Sequence, residues 1–399
     1  MKFPYIRQIH VNDCFAFKNK DVPINPLKEF KHIILTGRNG SGKTTILNRL
    51  ALQLNDYKNE RNKEKGISHL KGIIASNKNH QNLNTWKEQI ADYEGIDLLF
   101  LNEDEIHKLM QVDNYIFSFF KAHRKVQLQE VSTVSKETQF IQELQKQNDS
   151  DSFASKFKQY LVNKKVYEAF DYMNAKQENI NQNQVFFSNL TDILKTIFGD
   201  KKLELEFVQE SFEFYLKLSS GLRFTFNQLS EGFSAFVSIL MDLLMRVDLM
   251  RKSLNDYSLN PNGIVLIDEP ETHFHISMQY EILPLLTELF PNIQFIVATH
   301  SPAIISSIKN AVVFDLTNHV EVSGWQVGSS YSELMVTHFG LENEFSPIVD
   351  KILVEINDAV QISDLDKLNQ ILTGNEKYMT ASLKFEIENL IISLKSKKK

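Results

Sequence analysis

The 399-residue sequence contains one cysteine, Cys14. A lone thiol cannot close an internal disulfide, so the chain is not a disulfide framework and fits a reducing compartment. Cys14 itself reads as a small buried hydrophobe. Positive charge is in short supply as well. Lys and Arg number 44 against 50 Asp and Glu, for a formal charge of −6, which argues against a basic nucleic-acid coat while leaving room for a local patch. Long apolar runs are missing too. The N-terminus MKFPYIRQIHVND has no leader-like apolar region, and the most apolar helical stretch, Phe233–Met250, is interrupted by Asp242, Arg246 and Asp248. The expectation is a cytoplasmic protein with no membrane partner. The sequence has no internal repeats.

Hydrophobic residues make up 42% of the chain, enough to bury a sizeable core in two domains or one large domain with insertions. Tyr5–Phe17 reads as a strand or hairpin. Lys31–Thr36 is a strand that runs into a glycine-rich turn, and Lys43–Leu54 carries apolar residues at helical spacing. Residues 55–95 read as polar surface helices and loops, and Tyr115–Phe120 as a further strand. The Gln-, Glu-, Lys- and Asn-rich stretch from Val131 to Gln184 reads as a helical insertion projecting from the core, too short for a long coiled coil. Alternation at Leu203–Leu218 predicts paired strands. Gly263–Ile267 and Ile293–Ala298 read as buried strands with a helix between them, the order of a parallel α/β sheet. The boundaries drawn are residues 1–130 for a first lobe, 131–200 for the insertion, 201–330 for a second lobe and 331–399 for a helical C-terminal region.

Gly37-Arg38-Asn39-Gly40-Ser41-Gly42-Lys43-Thr44 fits G-x-x-x-x-G-K-[ST] between a strand and a helix. Three of the 14 glycines fall within six residues here. Backbone N–H groups that wrap phosphates closely leave no room for Cβ atoms, and the following helix points its positive end at the anion. These eight residues and Thr45 are the expected nucleotide-binding set. Lys43 is expected on the β- and γ-phosphates and the Thr44 hydroxyl on Mg²⁺.

The strand Ile264–Ile267 ends in Asp268 and Glu269. A buried strand delivers Asp268 to the carboxyl edge of the sheet, where ligands bind in such folds. Asp268 is the expected Mg²⁺ ligand, and Glu269 the general base that polarises the attacking water. Leu229-Ser230-Glu231-Gly232 opens an apolar helix with Ser230 at its N-cap, and Ala298-Thr299-His300-Ser301-Pro302 follows the Ile293–Val297 strand. In isolation Ser230 could be a helix cap and His300 a strand-end histidine.

Together these segments carry a family resemblance. LSEG resembles the signature motif of ABC ATPases, and IVLIDEPETHFH with QFIVATHSP resembles their Walker B and switch-histidine segments. That wording is similar to the ATPases of the OLD (overcoming lysogenization defect) nucleases and of anti-phage systems such as Septu and PARIS, with RecF and SMC proteins more distant. The resemblance covers Tyr5–Thr44 and Gln228–Leu316. It implies an ABC-type P-loop fold of the α/β class, with a mixed central sheet, antiparallel strands near the N-terminus, a helical insertion and a helical C-terminal tail. It also implies ATP and Mg²⁺ as ligands and a head-to-tail homodimer, with a higher oligomer also possible, that sandwiches two ATPs. The phosphate loop of one subunit then faces Ser230, Glu231 and Gly232 of the other, and His300 contacts the γ-phosphate. His273 and His275, beside Glu271, read as structural or dimer-contact residues. The glutamine that senses Mg²⁺ in the family has no clear counterpart; Gln127, Gln129 and Arg124 are candidates left open.

OLD nucleases continue into a Toprim domain with a D-x-D at a strand end. Asp364-Leu365-Asp366 matches the letters, but its polar surroundings predict a helix start. The expected function is therefore an ATPase without its own nuclease. It would be the sensor or scaffold of an anti-phage defence system, acting on a separate nuclease effector and triggered by DNA or a phage product. The alternative is a RecF- or SMC-type ATPase of DNA repair or chromosome maintenance. A transporter subunit would need LSGGQ-like wording and a clear glutamine loop, and neither is seen.

Overall fold

The computed structural model describes residues 5–14, 17–23, 30–58, 63–77, 80–102, 106, 108–109, 114–122, 127–136, 138, 154–272, 274–321, 347–362, 364–375, 384–385, 387–389 and 391–392. The chain divides into two compact units, Met1–Gly328 and Ser329–Lys399.

The first unit opens with β1 (Tyr5–Cys14) and β2 (Phe17–Pro23), an antiparallel pair. Then come β3 (His32–Thr36), α1 (Lys43–Lys58), α2 (Lys63–Ser76), α3 (Leu83–Glu94), β4 (Ile96–Leu101) and β5 (Ile116–Phe120). β4 pairs antiparallel with β1, closing a three-stranded sheet ordered β2-β1-β4. Further on lie α4 (Phe157–Met173), α5 (Gln177–Phe198) and the meander β6 (Glu204–Val208), β7 (Glu213–Lys217) and β8 (Arg223–Thr225). The unit continues with α6 (Glu231–Leu254), β9 (Gly263–Asp268), α7 (Ile276–Leu289), β10 (Ile293–Ala298), α8 (Pro302–Ile305), β11 (Ala311–Asp315) and β12 (Val320–Glu321).

The central sheet is mixed and six-stranded, in the order β12-β11-β3-β10-β9-β5. β3, β5, β9, β10 and β11 run parallel, and β12 turns back antiparallel. β3, β9 and β10 are buried at every residue, which explains their unbroken apolar sequences: a parallel strand covered on both faces has no polar side to show. The register then fixes where chemistry can occur. Ala298 lies level with both Leu35 and Asp268, and Asp315 with Thr36. The ends of four strands therefore share one edge.

α1 packs on this sheet through Ile46, Leu47, Leu50 and Leu54, all fully buried; their helical spacing puts them on a single face. Cys14 lies in the same core, its Sγ 3.7 Å from the Gly42 carbonyl oxygen, and burial raises its thiol pKa. α6 is buried along most of its length. The charges that interrupt its apolar run are paired. Asp242 accepts from Ser118 Oγ at 2.9 Å and from Arg246 Nε and Nη2 at 2.8 and 3.0 Å, and Asp248 sits 2.7 Å from Lys164 Nζ. No helix among the described residues is long and apolar enough to cross a membrane.

The expectation of an insertion that projects from the core is corrected by the packing. Phe157, Leu161, Phe187, Leu190 and Leu194 of α4 and α5 share one core with Phe214 and Leu216 of β7 and Val237 and Met241 of α6. The polar residues between them mask a buried stripe at helical spacing.

The second unit holds α9 (Pro347–Gln361) and α10 (Leu365–Gly374), packed through Ile352, Ile356, Ala359, Leu368 and Ile371. Asp364 caps α10, its Oδ1 accepting from the Lys367 N–H at 3.0 Å. It opens a helix and does not end a strand.

Candidate functional site

The loop after β3 folds tightly because its glycines take φ values closed to other residues. Gly37, Gly40 and Gly42 have φ of +135°, +80° and +99°. At Gly37 a Cβ would come within 2.9 Å of Thr317 Oγ1 and 3.0 Å of Ser41 Oγ. That crowding has a purpose: Thr317 Oγ1 accepts from the Arg38 N–H at 2.7 Å, while the Thr317 N–H donates to Asp315 Oδ1 at 2.7 Å. The turn after β11 thus braces the loop.

Lys43 opens α1, is 5% exposed, and donates to the Gly37 and Arg38 carbonyl oxygens at 3.0 and 3.3 Å. Burial lowers its pKa, and the carboxylates of Glu269, Asp268, Glu271 and Asp315 oppose that shift. A cation held among four acids offers its charge to an anion entering the loop. Ser41 Oγ and Thr36 Oγ1 are buried there without a hydrogen-bond partner. Buried hydroxyls are rarely left so, and at Ser41 a phosphate oxygen would supply what is missing. Arg38, Asn39 and Gly40 are exposed at the loop's crest, and Thr45 is partly buried one residue into the helix from Thr44.

Across the sheet edge the Thr44 hydroxyl donates to Asp268 Oδ2 at 2.9 Å. One hydroxyl and one carboxylate, both hard oxygens beside the glycine-rich loop, form the sparse protein donor set that Mg²⁺ takes when substrate and water complete its shell. The residues present therefore fit the ion.

Glu269 follows β9 with φ of +49°, a left-handed conformation uncommon for this residue type and costing of order 1 kcal/mol. Its N–H is tied to the Ala298 carbonyl at 2.8 Å. Its Oε1 lies 3.3 Å from His300 Nε2. Burial, and then the Lys43 charge, lower the His300 pKa to about 4, so the imidazole is neutral at pH 7. A neutral ring beside a carboxylate can donate one hydrogen bond without competing with Lys43 for charge.

Ser230 is the N-cap residue of α6, but its side chain makes no capping hydrogen bond; it is exposed, as is Glu231, while Gly232 is buried. The strand–turn before it is held by a capping box between Thr225 and Gln228. Phe233 and Phe236 of α6 meet Phe274 edge-on, each with ring centroids 5.9 Å apart.

Of the open glutamine candidates, Gln129 turns to Ser155 Oγ at 3.4 Å and Gln127 is exposed. Between them Leu128 is held through both its N–H and its carbonyl by the Asn227 side chain, at 2.8 and 3.1 Å. Arg124 and His273 lie outside the described residues. His275 is the N-cap residue of α7, its Nδ1 3.1 Å from Ser277 Oγ.

Two residues have roles that motif reading passed over. Thr317 has no sequence signal, since it reads as a polar turn 279 positions from its partner at Arg38. Glu271 was legible as a third acid after Asp268 and Glu269, but its direction was not. Its Oε1 accepts from Thr299 Oγ1 at 2.6 Å, the His300 N–H at 2.7 Å and the Ser301 N–H at 3.1 Å.

Residues 33–306 match the family described as "AAA domain, putative AbiEii toxin, Type IV TA system". Among characterised proteins, a 94-residue stretch is 43% identical to the retron Ec83 probable ATPase of Escherichia coli, covering 23% of this chain and 17% of that protein. A 152-residue stretch is 26% identical to the Septu protein PtuA of Bacillus mycoides (strain KBAB4), covering 37% of this chain and 20% of that protein. The matched stretches span a fifth or less of these two relatives. Among solved structures, the Smc head domain of Pyrococcus furiosus, crystallised with the C-terminal domain of ScpA, aligns with 80% of this chain and 95% of its own, at 12% identity and a TM-score of 0.39.

Proposed function

The chain belongs to this AAA domain family, and on that footing we propose that it is an ABC-type enzyme that binds and hydrolyses ATP, serving as the sensor or scaffold ATPase of an anti-phage defence system. The observation that carries the ATPase reading is the gathering of Lys43, Thr44, Asp268, Glu269 and His300 at one sheet edge. The defence reading is supported by similarity to a retron ATPase and a Septu protein. A separate nuclease effector and a DNA or phage-derived trigger complete the proposal.

In this reading the backbone of Gly37–Thr45 wraps the phosphates, and Lys43 leaves its own loop carbonyls to neutralise the β- and γ-phosphates. Thr44 and Asp268 hold Mg²⁺, which when bound offsets phosphate charge. Glu269 orients the attacking water and accepts its proton, and the bond from the γ-phosphorus to the bridging oxygen breaks as ADP leaves. His300 turns the one N–H of its neutral ring from Glu269 to the γ-phosphate. Ser230, Glu231 and Gly232 of a second copy close the site from the far side, the helix N-terminus of α6 facing the anion.

Nucleotide binding and turnover separate the roles. Lys43→Ala is expected to abolish ATP binding, read by titration with a fluorescent ATP analogue. Glu269→Gln is expected to bind ATP as the wild type does while turnover falls by about a hundredfold or more. Retained affinity in the first variant would remove the phosphate loop from the site, and wild-type turnover in the second would move the base elsewhere.

A further inference from the structure

Glu271 spends its carboxylate in an unusual way. Three donors from consecutive residues, the Thr299 hydroxyl and the N–H groups of His300 and Ser301, converge on the single oxygen Oε1. The other oxygen, Oε2, is buried with no hydrogen-bond partner. The clasped segment has a second anchor: Ser301 Oγ donates to Gln279 Oε1 at 2.6 Å, and Gln279 Nε2 donates to the Phe274 carbonyl at 2.9 Å. The turn that carries Glu271 is fastened as well, Thr272 Oγ1 donating to the Glu269 carbonyl at 2.9 Å and the Phe274 N–H to the Glu271 carbonyl at 3.0 Å. One short turn after β9 thus holds Glu269 at one end and the backbone of His300 through its middle.

We propose that Glu271 is a positioning residue, a carboxylate clasp that sets His300 against Glu269. The physical case is one of direction. His300 follows a strand whose backbone pairing ends one residue before it, with the Thr299 N–H donating to the Leu35 carbonyl at 3.0 Å. Beyond that point a free turn could place the imidazole over a range of positions, and a displacement of about 1 Å is enough to cost about a hundredfold in rate. Three hydrogen bonds to one acceptor over three consecutive residues restrict the turn to one conformation. The same turn carries Phe274 onto Phe233 and Phe236, so the histidine, the base and the first turns of the signature helix are held by one element. Glu271 touches neither water nor phosphate in this scheme; it acts through His300, and the role rests on the ATPase reading.

Two measurements test the clasp, one of them independent of turnover. In hydrogen exchange resolved to single amides, Glu271→Ala is expected to cut protection at His300 by about tenfold or more, and less at Ser301, whose N–H also donates to Thr299 Oγ1 at 2.9 Å, while Glu271→Gln, which keeps the acceptor oxygen, retains it. Unchanged exchange at His300 in Glu271→Ala overturns the clasp, and should that variant not fold, Thr299→Val is expected to give a smaller loss at the His300 amide, with no change there overturning it. In steady-state kinetics, Glu271→Ala is expected to lower kcat by about a hundredfold with KM within about twofold, and Glu271→Gln to recover most of the rate. In a His300→Ala background the alanine change at Glu271 is expected to add nothing further. Additive losses, or a KM effect alone, overturn the positioning role. A wild type that binds but never hydrolyses ATP overturns the ATPase reading instead, while the exchange result still decides the clasp.

Discussion

His32 shows what a single buried side chain can contribute and how it can be measured. It is 4% exposed, its Nδ1 accepts from the Phe295 N–H at 3.1 Å, and its ring packs between Phe30 and Phe295. Burial lowers its pKa to about 4, against about 6.5 in an unfolded chain. A histidine whose folded pKa is lowered is neutral in the fold, so protons favour the unfolded chain. Its contribution is complete above about pH 6.5 and is lost as pH falls toward 4, at up to about 1.4 kcal/mol per pH unit. His300 is shifted the same way. Chemical denaturation between pH 7 and 5 should therefore show falling stability, and His32→Asn, whose Oδ1 can accept from Phe295, should flatten the slope. An unchanged slope would show that His32 is not the titrating group. At this scale the residues that meet as Thr44–Asp268 and Glu269–His300 were legible in the sequence as short motifs of restricted residue type. Glu271 and Thr317 were not, because a carboxylate or hydroxyl that braces a turn has no fixed spacing from what it braces.

Elements meet the site through the register of the central sheet. β5 is one of the two edge strands of this order and pairs with β9 from Ile116↔Gly263 to Phe120↔Ile267. Gly263 is the tight point, where a Cβ would lie 2.6 Å from the Ile116 carbonyl oxygen and 2.9 Å from its Cβ. Backbone cannot yield as a side-chain tip can, so Gly263→Ala is expected to destabilise the fold by about 1–3 kcal/mol, read from the urea midpoint. An unaltered midpoint would mean that β5 is loosely held. Strand and helix types were legible here from periodicity and from unbroken apolar runs. The place of α4 and α5 was not: their exposed faces are rich in Gln and Asn, and composition weighs all faces alike. Only packing against Phe214 and Met241 reveals the buried stripe.

At the scale of the whole molecule, the proposed head-to-tail dimer would make the site half of a pair. Ser230 is exposed with no capping bond of its own, which suits a hydroxyl that serves an anion on a second copy. Glu269→Gln with ATP should accordingly sediment as a dimer and return to monomer when nucleotide is removed, since ligand bound across two subunits stabilises their contact. Ser230→Arg should block that dimer and suppress turnover when mixed in excess with wild-type chains. Full activity in the mixture would place the signature outside the site.

The glycine-rich loop, the acidic pair and the histidine were legible in the sequence as residue types, spacings and flanking apolar strands, because each is a local pattern. Local spacing cannot say which strands lie side by side. The tertiary structure decided that β3, β9 and β10 end level with one another, that Thr44 meets Asp268 across 224 positions, and that Glu271 clasps the turn bearing His300. Those contacts depend on sheet order and register, which arise from burying three apolar strands together. No single segment carries that information.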